Sequence, residues 1–153
     1  MPSQLPIGTL SQLARNRTDE AARKLAALRD ANLGASAKLD LLLQYRQEYA
    51  RQLHSLLAQG ATTAQWRNYQ EFMRALDAGI EHQRAAAAQA QARLEGGRVD
   101  WQHQRRRLNA YETLADRLQR QEAIVQGRRE QRASDEQAAR MAQAGVAHAG
   151  EVR

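Results

Sequence analysis

The ten residues LAQGATTAQW, 57–66, interrupt a sequence that otherwise favours continuous helix. Gly60 suits the left-handed backbone conformation that ends many helices. Thr62, followed three residues later by Gln65, has the form of a capping box, in which the two side chains bond free backbone N–H groups at a helix start. The stretch therefore predicts two helices joined by a turn.

The composition on both sides of this turn also favours helix. Ala, Leu, Gln, Arg and Glu are good helix formers and dominate the chain, and the two prolines, Pro2 and Pro6, lie at its extreme N-terminus. Hydrophobic residues make up 42% of the sequence but aromatic residues only 5%, which leaves little bulky material for a compact core. We expect an all-α, elongated hairpin.

Residues on both sides of the turn recur at alternating steps of four and three, the spacing of a coiled-coil seam. In the first helix the seam consists of Leu28, Asn32, Ala35, Leu39, Leu42, Arg46, Tyr49, Leu53 and Leu56, of which Asn32 and Arg46 are polar defects. In the second helix one series is Trp66, Met73, Ile80, Ala87, Leu94, Trp101, Leu108 and Ala115, and its companion is Tyr69, Leu76, Gln83, Ala90, Gly97, Gln104, Tyr111 and Leu118. The pattern predicts an antiparallel two-helix coiled coil in which residues equally far from Gly60 face each other.

The predicted organisation is a tail at 1–9, a first helix at 10–57, a turn at 58–63, a second helix at 64–126 that extends at most to 141, and a frayed or disordered tail at 127–153. Because the second helix is the longer one, its overhang beyond Tyr111 lacks a partner in the hairpin. Apolar residues continue there at coiled-coil spacing, which predicts contact with another protein. High polarity and three glycines after Gln126 predict the fraying.

A second row of residues leaves the seam near the turn and swings to one flank. It consists of Lys38, Leu42, Tyr45 and Tyr49 on the first helix and of Phe72, Leu76, Gly79 and Gln83 on the second. One interpretation is that the aromatic residues only broaden the packing of the hairpin. The other is a docking surface, since exposed aromatic patches mark interaction sites. Trp66 and Tyr69 lie in the seam and are expected to lock the turn.

The sequence has few features that are typical of enzymes or cofactor sites. The chain has no cysteine, no glycine-rich phosphate loop after a strand, and no pair of its four histidines at metal-ligand spacing. We therefore expect neither catalysis nor a cofactor or metal. The sequence also has no apolar run of membrane-spanning length and no secretory signal at its N-terminus, which predicts a cytoplasmic protein.

The formal charge of +6 leaves two alternatives open. A basic coiled coil could bind nucleic acid through salt-sensitive contacts, and the candidate residues are Arg98, Arg105, Arg106, Arg107, Arg128, Arg129 and Arg132. A consecutive triplet spreads around a helix, however, so we favour a solvated face for the first cluster, Arg98 and Arg105 to Arg107. For the second cluster, contact with an acidic partner or a membrane stays open. The second alternative is a self-associating scaffold whose apolar overhang forms a dimer or bundle.

Three strings in a fixed order resemble the FliJ family of bacterial flagellar type III export. They are LDLLLQYRQEYARQL at 39–53, WRNYQEFMRALDAGIEHQ at 66–83 and VDWQHQRRRLNAYETLADR at 99–117. The resemblance covers residues 10–132, and its specificity lies in the ordered set YxxxY, turn, WxxYxxF and Trp. It implies an antiparallel coiled coil similar to part of the stalk subunit of rotary ATP synthases.

The resemblance also implies partners. A non-enzymatic, monomeric protein is expected to bind the flagellar export ATPase and the cytoplasmic domain of the export gate protein and to escort export chaperones, at the cytoplasmic side of the inner membrane. Carried over by position, the gate contact falls on Leu42, Tyr45, Tyr49, Phe72 and Leu76. Lys38, Gly79 and Gln83 complete that surface by geometry, although their residue types depart from those expected. The ATPase contact is expected on the overhang, at Leu114, Leu118, Val125, Arg128 and Arg129.

Overall fold

The structure, a computed structural model, describes residues 6–151 and contains two helices over that range. Helix α1 is Ile7–Gln59 and helix α2 is Thr63–Glu151, with 53 and 89 residues respectively. No strand occurs among the described residues. The predicted all-α fold with a longer second helix is confirmed. Residues 1–5 of the predicted N-terminal tail lie outside the described part, as do residues 152–153 at the other end.

The turn forms as its sequence predicts. Gly60 has a φ of 89°, in the left-handed region that glycine adopts without strain. The backbone N–H of Thr62 donates to Gln65 Oε1 at 3.0 Å, and the backbone N–H of Gln65 donates to Thr62 Oγ1 at 3.2 Å. This reciprocal pair is the predicted capping box, and it satisfies two N–H groups that have no helical acceptor.

The helix boundaries differ from those predicted. Helix α1 begins at Ile7, because the carbonyl of Pro6 accepts the backbone N–H groups of Thr9 at 2.9 Å and Leu10 at 3.2 Å. Helix α2 continues to Glu151, past the expected end at 126 or 141. Its last part contains no proline, is rich in good helix formers, and has side-chain pairs one turn apart, such as Gln131 to Asp135 at 3.0 Å.

Residues 14–106 form one compact unit, and it contains the turn. Within this unit α1 and α2 run antiparallel, as four cross-helix contacts show. The Tyr49 ring contacts the Phe72 ring, and Gly97 lies against the Leu28 side chain. Arg46 donates a hydrogen bond to Asp77, and Gln83 donates one to the Ala35 carbonyl. Each pair consists of residues at similar distances from Gly60, so the predicted antiparallel pairing is confirmed.

The seam of this unit follows the predicted register. Ile80 and Leu94 are buried, and the other predicted seam residues of the unit are half-buried except Arg46, which is exposed. The seam also extends beyond the predicted residues toward the N-terminus, where Ala14, Thr18, Ala21 and Leu25 are buried. Thr18 is tolerated there because its hydroxyl donates to the Ala14 carbonyl at 2.8 Å.

The described residues before 14 and after 106 belong to a second unit. In it Leu108 is buried and Tyr111 and Ala115 are half-buried, whereas every described residue from 116 onward is exposed. The predicted seam residues of α2 are therefore at least half-buried as far as Ala115, and Leu118 is the first of them that is exposed. The apolar side chains that follow have no cover within the described residues, which makes this part of α2 a candidate contact region.

A candidate protein-docking surface

The eight residues of the predicted row, which we call the flank surface, lie along one edge of the hairpin seam and include four residues of the seam itself. Lys38 and Tyr45 each come one position before a seam residue of α1, and Phe72 and Gly79 do the same on α2. The other four, Leu42, Tyr49, Leu76 and Gln83, are half-buried seam residues. The surface therefore consists of a partly buried base and a more exposed edge contributed by both helices.

An aromatic contact ties the two helices together at the centre of this surface. The Tyr49 and Phe72 ring centroids are 4.5 Å apart and the ring planes are tilted by 53°. Such pairs contribute about 0.5–1.5 kcal/mol beyond the area they bury. Tyr49 is half-buried, but Phe72 is still 43% exposed and Tyr45 is 45% exposed. Tyr49 therefore helps to hold the hairpin, while Tyr45 and Phe72 offer aromatic area to a partner.

The two ends of the flank surface have different properties. Lys38 and Gly79 are exposed, and a Cβ built on Gly79 would meet no atom within 4 Å. Gln83 is half-buried, and its Nε2 donates to the backbone carbonyl of Ala35 at 3.0 Å. Gln83 thus fixes the two helices to each other with its amide, which leaves Gly79 and Lys38 as the exposed margin.

The Arg46 defect in the seam is explained by an ion pair across the hairpin. Arg46 Nε lies 2.6 Å from Asp77 Oδ1, and the two side chains are 45% and 49% exposed. The hydrogen bond that Arg46 Nε donates to Asp77, together with the negative charge of Asp77, raises the pKa of Arg46. Asp77 was not among the predicted site residues, although opposite charges at similar distances from Gly60 are a signal that could have identified it.

The predicted contact residues of the overhang lie on an uncovered stretch of α2. Leu114, Leu118 and Val125 are 45%, 41% and 47% exposed, and Arg128 and Arg129 are exposed as well. Leu118, Val125 and Arg129 line the same shallow groove along the helix. This stretch therefore combines apolar side chains with two arginines, and Glu122 also lines the groove.

Part of the basic surface is engaged within the hairpin. Arg98 pairs with Glu95 at 2.8 Å, and the Arg105 guanidinium lies 5.6 Å from the centre of the Trp101 ring. Among residues 6–151 no group of three or more His, Cys, Asp or Glu side chains could hold a metal ion. Neither helix, over its described length, is apolar enough to cross a membrane.

Comparison with known proteins shows the family to which this chain belongs. The family model described as "Flagellar FliJ protein" matches residues 3–146. The chain belongs to the FliJ family. The flagellar FliJ protein of Salmonella typhi is 32% identical over 134 residues, which cover 88% of this chain and 91% of the relative. That of Escherichia coli (strain K12) is 31% identical over 136 residues, which cover 89% and 92%.

FliJ-family membership confirms the resemblance seen in the sequence. It identifies the chain as a component of the flagellar export machinery. The match covers both the hairpin unit with its flank surface and most of the exposed part of α2. Both candidate contact regions therefore lie within the part of the chain that the FliJ family shares.

Proposed function

We propose that this chain is a non-enzymatic adaptor of the flagellar type III export apparatus. Its flank surface binds the cytoplasmic domain of the export gate protein, and its overhang binds the export ATPase. The chain acts as a monomer in the cytoplasm, peripheral to the inner membrane, and escorts export chaperones. FliJ-family membership supports the general role, and the two separate exposed regions support the division of contacts.

The observation that carries the gate contact is the partial exposure of Tyr45 and Phe72 around the Tyr49–Phe72 ring contact. Phe72 is held against the Tyr49 ring, so it loses little conformational freedom when a partner covers it. Burying apolar area contributes about 25 cal/mol per Å². Aromatic residues also dominate the energetics of many protein interfaces. Tyr45 and Phe72 are therefore the expected anchors.

The overhang supplies a chemically different contact. Leu118 and Val125 provide apolar area beside the cationic Arg128 and Arg129. A partner that covers this surface must combine apolar groups with negative charge, because desolvating a guanidinium without a counter-charge is costly. We assign this contact to the ATPase, and the adaptor thereby links nucleotide turnover to the gate through its two surfaces.

The gate contact is tested with Tyr45→Ala and Phe72→Ala, measured separately and together. Leu57→Ala is the matched control, because Leu57 is similarly exposed, at 48%, but lies outside the flank surface. Binding to the purified gate domain should weaken by at least about tenfold for the double variant and stay unchanged for the control. Unchanged binding by a folded double variant would refute the gate assignment.

The ATPase contact is tested with the double substitution Leu118→Asp and Val125→Asp. Binding to the purified ATPase should be lost while gate binding persists, because the substituted residues lie outside the flank surface. Met141→Asp is the control, since Met141 is 67% exposed on the same helix. Loss of both contacts together, or of neither, would contradict the division of labour.

A further inference from the structure

A second exposed surface lies on α1, on the side of the helix turned away from the seam. At its centre Leu33, Ala37 and Leu41 follow each other at steps of four, with Gly34 beside them. All four are exposed, Leu33 by 67% and Leu41 by 47%. Leu33 is thus more exposed than either aromatic anchor of the flank surface. We call this side, over residues 27–48, the outer face of α1.

The shape of the outer face suits a helix. A Cβ built on Gly34 would meet nothing within 4 Å, and Ala37 adds only a methyl group. The small residues therefore form a shallow depression between Leu33 and Leu41, and helices pack by placing side-chain ridges into such grooves. Residues 27–48 span about 33 Å, enough to contact several turns of a partner helix.

The charge of the outer face is opposite to that of the chain. The formal charge of the protein is +6, yet over residues 27–48 the charged residues on this side of α1 are Asp30, Asp40 and Glu48, and Arg23 and Arg51 lie on the same side beyond its two ends. The basic residues Arg29 and Lys38 lie at its margins, next to seam positions. Asp30, Asp40 and Glu48 are exposed, and none makes an ion pair or side-chain hydrogen bond within residues 6–151.

These properties restrict what can cover the outer face. Nucleic acid and anionic lipid would be repelled by its three carboxylates. An apolar partner without charge would bury the carboxylates unpaired, which is costly. A cationic partner avoids both penalties, since its basic side chains can pair with the carboxylates while its apolar side chains cover Leu33 and Leu41.

We propose that the outer face of α1 binds a basic amphipathic helix of another protein. That helix places small and aliphatic residues against Leu33, Gly34, Ala37 and Leu41, and its Lys or Arg residues flank them opposite the three acids. This contact is separate from the flank surface and does not depend on the gate or ATPase assignments.

The test is photocrosslinking of the full chain in the flagellated cells that make it. A photoreactive amino acid replaces Leu33 or Leu41, and Val99 is the control position, because it is 64% exposed on α2 and outside the outer face. Mass spectrometry identifies the crosslinked peptide. A peptide from a helical segment with net positive charge, seen at Leu33 and Leu41 but not at Val99, is the expected result.

Charge reversal distinguishes the outer face from general electrostatics. The triple variant Asp30→Lys, Asp40→Lys and Glu48→Lys should reduce the crosslink at Leu33 by at least about tenfold. The control triple variant Glu71→Lys, Asp100→Lys and Asp116→Lys changes net charge equally and should leave the crosslink intact. Circular dichroism confirms that both variants are folded.

Five results would overturn the proposal, and the first four concern the crosslink itself and its dependence on charge. Those four are no crosslink above the Val99 level, a crosslink to a second copy of this chain, a crosslink to an acidic or non-helical segment, and equal loss with both triple variants. The double variant Tyr45→Ala and Phe72→Ala must also leave the Leu33 crosslink in place. If it abolishes the crosslink, the outer face is only the margin of the flank surface.

Discussion

Gly96 and Gly97 are neighbours in the same helix, and substituting each one tests the packing of the hairpin. A Cβ on Gly96 would meet nothing within 4 Å, whereas a Cβ on Gly97 would overlap Leu28 Cδ1 and lie 3.8 Å from Leu25 Cδ1. The two positions share the same helical backbone and the same gain in helix propensity. They differ only in the atoms that a side chain would meet, which are none at Gly96 and the Leu28 and Leu25 side chains at Gly97.

The expected free-energy changes follow from this difference. Gly96→Ala should stabilise the fold by about 1 kcal/mol, since glycine disfavours the interior of a helix by that amount relative to alanine. In Gly97→Ala the same gain is offset as Leu28 leaves its preferred rotamer, at a cost of about 0.5–1.5 kcal/mol, so the net change is close to zero. In Gly97→Leu the overpacking of about 1–3 kcal/mol exceeds the gain and destabilises the fold.

The measurement is urea unfolding of the full chain, followed by circular dichroism, with Gly96→Leu as the matched control for Gly97→Leu. Leucine is almost as good a helix former as alanine, so Gly96→Leu should stabilise the protein. The two leucine variants should differ by about 1–3 kcal/mol in the free energy of unfolding. Equal stabilities would show that Gly97 does not face Leu28 and would refute the register of the hairpin.

Three further predictions concern the turn, the seam and the end of α2. Gly60→Ala should destabilise the fold by about 1–3 kcal/mol, because its φ of 89° is strained for alanine, and thermal melting measures the loss. Ile80→Ala should cost about 2–5 kcal/mol in urea unfolding, since Ile80 is only 3% exposed, whereas Leu33→Ala should stay within about 0.5 kcal/mol; similar losses for both would contradict the assignment of the core. Ending the chain after Gly127 should lower the helical dichroism but leave the melting temperature unchanged, because residues 128–151 are exposed, and a clear drop in melting temperature would mean that they stabilise the fold.

The sequence by itself determined the features whose causes are local or periodic. Gly60, Thr62 and Gln65 specify the turn, because capping and the left-handed conformation depend on a few adjacent residues. The seam register was readable because the same spacing repeats along both helices, so each repeat supports the others. The ordered motifs from LDLLLQY to the segment around Trp101 were enough to identify the family.

The tertiary structure decided which side chains meet and which stay exposed. The Arg46–Asp77 and Gln83–Ala35 hydrogen bonds depend on how far one helix is shifted along the other. The spacing of apolar residues does not fix this shift precisely enough to say which two side chains meet. The N-terminal extension of the seam was missed because it consists mostly of small residues, whose burial depends on how closely the helices approach. Tyr45 and Phe72 are exposed whereas Tyr49 is half-buried, and this difference depends on how much of each side chain the opposite helix covers.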